Sequence, residues 1–303
     1  MQEEERRGVM EIITGQTGIN REQPTVVTLG KFDGIHRGHQ KLIAALFSSE
    51  GLTKTVFTFT RPPREVMEQT EKKVLLTSEE KRVRMEALGV ELLIEFPFTE
   101  AVCRMEPEAF VEQILIDGLH AKKIITGPDF GFGYQRRGNT ALLKALAPKY
   151  GYELEVLKKE LSADGNAISS TRVREEIASG RVSQAVDLLG YPYPVVGMIE
   201  DENRIEIIGS HKCSPASGIC GTLEMHRAAD GRAVETAAER TVRVLTISVP
   251  REKLLPPPGQ YRAMLHTENG EVPAILETGE QTRLYFDEKV VYKPSGLCYT
   301  TLV

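Results

Sequence analysis

Between residues 25 and 190 short apolar runs alternate with longer amphipathic segments, and this alternation limits the folds open to the chain. TVVTLG (25–30) reads as a buried strand, and HQKLIAALFSS (39–49) as the helix after it. TKTVFTFT (53–60), ELLIEFPF (91–98), AKKIITG (121–127) and YELEVLKKEL (152–161) repeat the strand signal. SEEKRVRMEALG (78–89), a capped pattern that ends at glycine, PEAFVEQILIDGL (107–119) and NTALLKALAPKYG (139–151) carry helical spacing. Two more helices are predicted over 170–180 and 181–190. Strands that alternate with helices form a parallel sheet covered on both faces, so the predicted class is α/β, with a Rossmann-like domain over residues 1–190.

The pattern changes at YPYP (191–194), which cannot continue a helix. Beyond it come short strand-like runs separated by turn residues: VVGMIED, RIEIIGS, GICGTLEMH, TVRVLTISVP, QYRAMLHT, VPAILETG and TRLYF. Residues 191–303 are therefore expected to form a small all-β, barrel-like domain.

Charge and apolar content exclude several functions. Residues 1–190 carry 26 basic and 28 acidic side chains, and residues 191–303 carry 12 and 15. Neither part is basic, so broad electrostatic binding to nucleic acid is disfavoured, while a small anion needs only a local cluster. No run of about 18 apolar residues occurs, so no membrane span is expected. The opening MQEEERRG lacks the apolar core of a secretory signal. Cys103, Cys213, Cys220 and Cys298 include no C-x-x-C pair and read as free thiols of a cytoplasmic protein, although Cys213 and Cys220 could pair or bind metal. The expected assembly is a monomer or weak homo-oligomer.

Ligands of open parallel sheets bind at the carboxyl ends of the strands. GKFDGIHRGH occupies that place after the first strand, and Gly30, Gly34 and Gly38 let its backbone approach a ligand closely. The helix that begins near Gly38 presents free backbone N–H groups, which favour an anion. His36 and His39 add donors for the same anion. A histidine that merely caps the helix, a zinc pair and an ordinary tight turn are the competing readings of this stretch.

NAISSTRVREEIASG (166–180) favours the anion site. Ser169, Ser170 and Thr171 offer hydroxyls at a second helix start, and Arg172 and Arg174 add guanidinium forks that match phosphate oxygens. Two anion sites on one sheet edge point to a polyphosphate. The sequence contains no G-x-x-x-x-G-K-[ST] loop and no G-x-G-x-x-G fingerprint after the first strand.

The H-x-G-H element with its downstream Ser-Ser-Thr segment resembles the nucleotidylyltransferase superfamily. The finer similarity is to bacterial FAD synthetase, the riboflavin kinase/FMN adenylyltransferase family. It is carried by TLGKFDGIHRGHQKLI (28–43), LLTSEEKRVRMEALGV (75–90), GPDFGFGYQRRGN (127–139), ISSTRVREEIASG (168–180) and AVDLLGYPY (185–193), in that order. The resemblance implies transfer of AMP from ATP to FMN, giving FAD and pyrophosphate. It implies catalytic roles for His36, His39 and Arg172. Gly30, Phe32, Asp33, Gly34, Gly38, Ser169, Ser170, Thr171 and Arg174 would bind ATP, with magnesium held through the ATP phosphates. Phe59, Asp129, Phe130 and Phe132 would line the flavin or nucleotide pocket.

The chain also departs from the family pattern. FTRPP (59–63) replaces Phe-Asp-Pro-His-Pro, so Thr60 and Pro62 stand at the aspartate and histidine positions and Arg61 is new. Lys31 stands where asparagine or threonine is common, and Gly131 stands where the family has arginine. In the C-terminal part, VVGMIEDENRIEIIGSHKCSPASGICGTLEMH (195–226) has no Pro-Thr pair and no Thr-Ala-Asn, so a riboflavin-kinase-like barrel without kinase activity is expected. The alternatives are a transferase with a changed acceptor, a bifunctional enzyme with a diverged kinase, and a flavin-binding regulator with little turnover.

Overall fold

The structure is a computed structural model. It describes residues 9–15, 17–60, 73–208, 223–227, 233–237, 240–287, 289–290 and 297–303, with side chains from 202 to 241 excepted. The altered FTRPP loop from Arg61 onward, Cys213 and Cys220 lie outside the described residues. Contacts divide the chain into two compact units, Met1–Ser170 and Thr171–Val303.

The first unit is built on six strands, β1 (Glu11–Thr14), β2 (Thr25–Leu29), β3 (Thr53–Phe59), β4 (Leu92–Phe96), β5 (Ala121–Thr126) and β6 (Glu153–Val156). They form one sheet in the order β1-β4-β3-β2-β5-β6, and every pairing is parallel. All five residues of β2 and of β4 are buried, as expected of strands covered on both faces. Adjacent residues serve opposite cores. Val27, Leu29, Phe57, Leu92, Ile94 and Ile124 pack with Phe110, Val111, Leu115 and Leu143 on one face. Val26, Val56, Leu93 and Ile125 pack with Phe32, Ile35, Ile43, Leu46 and Met85 on the other.

The connecting helices are α1 (Arg37–Leu46), α2 (Ser78–Ala87), the short α3 (Glu100–Cys103), α4 (Pro107–Ala109) and α5 (Thr140–Tyr150). Thr77 caps α2 through a full capping box with Glu80, one residue ahead of the serine that opened the sequence pattern. The helix expected over 107–119 is α-helical only at its start and continues as a π-helix, Phe110–Gly118. Its buried residues Phe110, Val111, Ile114, Leu115 and Gly118 recur about every four positions, and the wider π turn keeps them on one side. No strand is expected before residue 25, yet β1 pairs with β4 from Glu11↔Leu92 to Thr14↔Glu95. The strand expected over 152–161 stops at Val156.

The second unit contains α6 (its range is Ser170–Ala178, the first residue belonging to the first unit) and α7 (Val182–Leu189). Gly190, at φ 77°, ends α7 in the left-handed conformation. The strands β7 (Tyr193–Ile208), β8 (Arg240–Ser248), β9 (Gly259–Thr267), β10 (Gly270–Thr278), β11 (Thr282–Asp287) and β12 (Leu297–Leu302) follow. They close into an antiparallel barrel in the order β8-β11-β10-β9-β12-β7, which leaves no free edge among them. The run VVGMIED and residues 204–208 of RIEIIGS, read as two strands, belong to the single long β7. Leu223–Arg227 pairs with Ala233–Ala237 as a separate ribbon. Among the described residues Cys103 is half-buried and Cys298 buried, and neither forms a disulfide. No helix among the described residues is long and apolar enough to cross a membrane.

Candidate active site

In the sheet order, β3 and β4 lie on one side of β2 and β5 and β6 on the other, so the side on which strands are added reverses between β2 and β5. Loops at such a switch point diverge and leave a crevice at the carboxyl ends of the strands. The loop after β2 ends in His36, with His39 in the first turn of α1, and the loop after β5 carries Asp129 and Phe130.

The β2–α1 loop is tightly wound. Phe32 and Ile35 hold φ of 48° and 36°, unusual for residues with side chains, and Gly34 holds 82°. Burial compensates for the strain, since Phe32 and Ile35 are fully enclosed in the core beneath α1. A Cβ on Gly30 would meet the Phe32 ring at 3.1 Å, so glycine lets that ring fold back under the loop. The Asp33 carboxylate accepts from the Leu75 amide at 2.9 Å, and the Asp33 carbonyl accepts from the Ser170 hydroxyl at 2.7 Å. The loop is thereby tied to the segment before α2 and to the serine cluster.

His36 is the N-cap residue of α1, but its side chain makes no capping hydrogen bond. Instead its ring stacks on that of His39, with centroids 3.8 Å apart and planes 19° from parallel. Phe32 closes the far side of His39 at 5.0 Å. Gly38 makes room for the pair, because a Cβ there would meet the His36 Cε1 and Nδ1 atoms at 3.2 Å. Both Nδ1 atoms are buried without a hydrogen-bond partner, and an unsatisfied buried polar atom is costly in a site that does nothing.

Burial lowers the pKa of His36 from 6.5 to about 4, partly opposed by the charge of Asp33. Burial also lowers that of His39 well below the ordinary value, helped by His36 and Lys81. Both rings are neutral at pH 7, so each offers one N–H donor and one acceptor nitrogen. An anion at this site would therefore meet dipolar donors and the amide end of α1.

Ser169 and Ser170 are half-buried at the end of the first unit. Thr171, Arg172 and Arg174 continue the same helix in the second unit, with Thr171 exposed and both arginines half-buried, flanking the buried Val173.

The aromatic residues separate by burial. Phe132 is 7% exposed and packs on Phe110 at 5.7 Å, which makes it a core residue. Phe130 is half-buried and stacks on Phe132 at 5.5 Å and 15°. Phe59 ends β3 half-buried, edge-on to Phe57 at 5.7 Å and to Phe98 at 5.1 Å. Asp129 is exposed and ion-paired with Lys159.

The sequence reading missed Thr28 and Thr126, whose hydroxyls are fully buried without partners. Their signal was present, since each is a polar residue near the carboxyl end of an apolar run. Lys159 and Glu160 were missed because they were read as strand. Among the described residues no three His, Cys, Asp or Glu side chains converge as a metal cage.

The family model for FAD synthetase matches residues 19–172, which ends ahead of the barrel. The bifunctional riboflavin kinase/FMN adenylyltransferase of Haemophilus influenzae is 32% identical over 201 residues, 65% of each chain. That of Listeria monocytogenes is 34% identical over 199 residues, covering 64% of this chain and 61% of its own. The match thus spans about 65% of the length of the first of these relatives. A crystal structure titled Macrolide-efflux Protein from Streptococcus pneumoniae superposes with a TM-score of 0.74 over 97% of this chain and 89% of its own, at 22% identity. At that identity the likeness speaks for the fold.

Proposed function

Because the chain belongs to the FAD synthetase family, we propose that it is an FMN adenylyltransferase, which joins FMN to the AMP portion of ATP. An oxygen of the FMN phosphate forms a bond to the α-phosphorus of ATP. The bond from that phosphorus to the bridging oxygen breaks, and its electron pair leaves with pyrophosphate. The observation that carries this reading is the stacked His36–His39 pair, with neutral rings and orphaned Nδ1 atoms at the first turn of α1.

Charge builds on the phosphoryl oxygens as the α-phosphorus is attacked, and preorganised donors there act without reorganising. The buried imidazoles and the amides of α1 supply such donors. In this reading Ser169, Ser170, Thr171, Arg172 and Arg174 hold the β- and γ-phosphates, the leaving group. Arginine forks suit that task because they grip phosphate through two parallel hydrogen bonds. Phe130 and Phe59 offer half-buried aromatic surface for the flavin, and Phe132 supports Phe130 from the core.

Magnesium fits this site as a passenger on ATP. The residues present are imidazoles, hydroxyls and guanidinium groups, which suit phosphate, and the Asp33 carboxylate already holds the Leu75 amide. Magnesium keeps waters and binds through substrate phosphates, so ATP itself would supply its ligands.

The C-terminal unit is proposed to keep the barrel and to lack riboflavin kinase activity, on the absence of Pro-Thr and Thr-Ala-Asn from 195–226. One experiment tests both parts. With ATP and magnesium, FMN should yield FAD, and riboflavin should yield no FMN above background. Absence of FAD would overturn the first part, and steady FMN formation the second.

A further inference from the structure

The segment between β6 and Ser169 is tied down on both sides of the crevice. Leu157 N–H donates to the Thr126 carbonyl at 2.9 Å, which brings the segment off the end of β5. Lys159 then pairs with Asp129, on the loop after β5. Glu160 pairs with Lys41 of α1 at 2.9 Å, and its carbonyl accepts from Ile168 N–H at 2.9 Å. The Glu160 Cβ lies 3.7 Å from where a Gly38 Cβ would stand, and that same point lies 3.2 Å from the His36 ring. Glu160 therefore packs on the helix turn that carries His36, and Lys159 is its chain neighbour, with Cα atoms about 3.8 Å apart.

Asp129 gathers a second cation. Its carbonyl accepts from the Arg136 guanidinium at 3.5 Å, and Arg136 Nε lies 3.0 Å from where a Gly131 Cβ would stand. Arg136 thus covers a residue that has no side chain of its own, and does so from a left-handed backbone at φ 57°. One exposed carboxylate residue sits between two cations in the loop that carries Phe130. The Lys159 side chain is 49% exposed and that of Asp129 is 72% exposed, so their pair is weakly held and open to exchange.

We propose that Lys159 determines the enzyme's selectivity for a phosphorylated acceptor: it leaves Asp129 and pairs with the terminal phosphate of the flavin mononucleotide. Asp129 holds the ammonium in place until that phosphate arrives. The reaction needs such a cation, because the acceptor phosphate, itself close to doubly charged, must approach the polyanionic ATP beside His36. A phosphate dianion with several strong acceptor oxygens outcompetes a single solvated carboxylate.

This inference rests on the adenylyltransferase reading, and its test separates the two. FMN and riboflavin are titrated by flavin fluorescence quenching into the wild-type protein and its Lys159→Ala, Lys159→Arg and Asp129→Asn variants. KM for FMN and for ATP is measured alongside. Lys159→Ala should reduce the preference for FMN over riboflavin about tenfold, with Lys159→Arg restoring most of it. KM for FMN should rise in Lys159→Ala while KM for ATP moves less than twofold. Asp129→Asn removes the competing anion and should raise the preference, by about threefold.

Lys159→Ala and Asp129→Asn shifting the preference in the same direction, or Lys159→Ala weakening FMN and riboflavin alike, would overturn the proposal and leave the pair as a pin for the loop. FAD synthesis by the wild type with an unchanged preference in Lys159→Ala would overturn this inference alone. A wild-type protein that binds neither flavin and makes no FAD would overturn the adenylyltransferase reading, and this inference with it.

Discussion

Gly38→Ala tests whether the placement of the His36 ring matters for turnover. In most helical positions this substitution stabilises, by up to about 1 kcal/mol. Here the new methyl group would stand 3.2 Å from the Cε1 and Nδ1 atoms of His36. That is a few tenths of an ångström inside comfortable contact, so the ring must turn or slide. It cannot slide freely, because it is stacked on His39 at 3.8 Å and His39 is backed by Phe32 at 5.0 Å. A side chain pushed off its rotamer by about 30° loses about 0.5–1.5 kcal/mol. The helix gain and the crowding nearly cancel, so net stability should stay within about 1 kcal/mol of wild type. Turnover should not be spared, since a misplacement of about 1 Å at a reacting centre costs up to about 100-fold. We expect kcat for FAD formation to fall about 10- to 100-fold, with the urea midpoint of the first unit nearly unchanged. A folded Gly38→Ala protein with wild-type kcat would refute the argument that the stacked rings are held in a working geometry.

His36→Ala and His39→Ala should each lower kcat about 100- to 1,000-fold, the usual loss for one transition-state donor, in steady-state assays of FAD formation. Arg172→Ala and Arg174→Ala should weaken use of ATP more than use of FMN, by roughly 1–3 kcal/mol per contact, because only ATP carries β- and γ-phosphates; KM values for the two substrates decide this. Stability should fall in acid for a definite reason. The folded pKa of His36 is lowered to about 4, so between pH 6.5 and 4 the unfolded chain binds a proton that the folded chain refuses. Stability conferred by the neutral ring is therefore intact above pH 6.5 and is lost as pH falls toward 4, by about 3 kcal/mol in all. His36→Asn should flatten that part of the stability–pH curve in chemical denaturation, and an unchanged slope would count against a buried neutral ring.

The parallel sheet was legible because strands buried on both faces leave mostly apolar runs such as TVVTL and LLIEF, without the alternation of a half-exposed strand. β1 was not legible, since EIIT is short, mostly exposed and held by pairing with a strand about 80 positions later. The π-helix escaped notice because its apolar spacing also satisfies a buried α-helix, and only packing against the sheet decides between them. Within the site, His36 and His39 stood out from the sequence as a spaced pair, but their stacking and neutrality depend on burial beneath Phe32 and on the room left by Gly38. Phe132 and Phe130 looked equivalent in GPDFGFG, and tertiary packing made one a core residue and left the other half-open. Lys159 and Glu160 carried no signal at all, because an ion pair between distant positions has no local pattern.

The central claim is that this protein transfers an adenylyl group rather than a phosphoryl group. The most direct measurement supplies FMN, magnesium and ATP labelled at either the α- or the γ-phosphorus, and follows each label by chromatography. Adenylyl transfer predicts that the α-label appears in the flavin dinucleotide and the γ-label in pyrophosphate, in equal amounts. A γ-label found in a flavin product, or an α-label that never leaves the adenine nucleotide pool, would contradict the account.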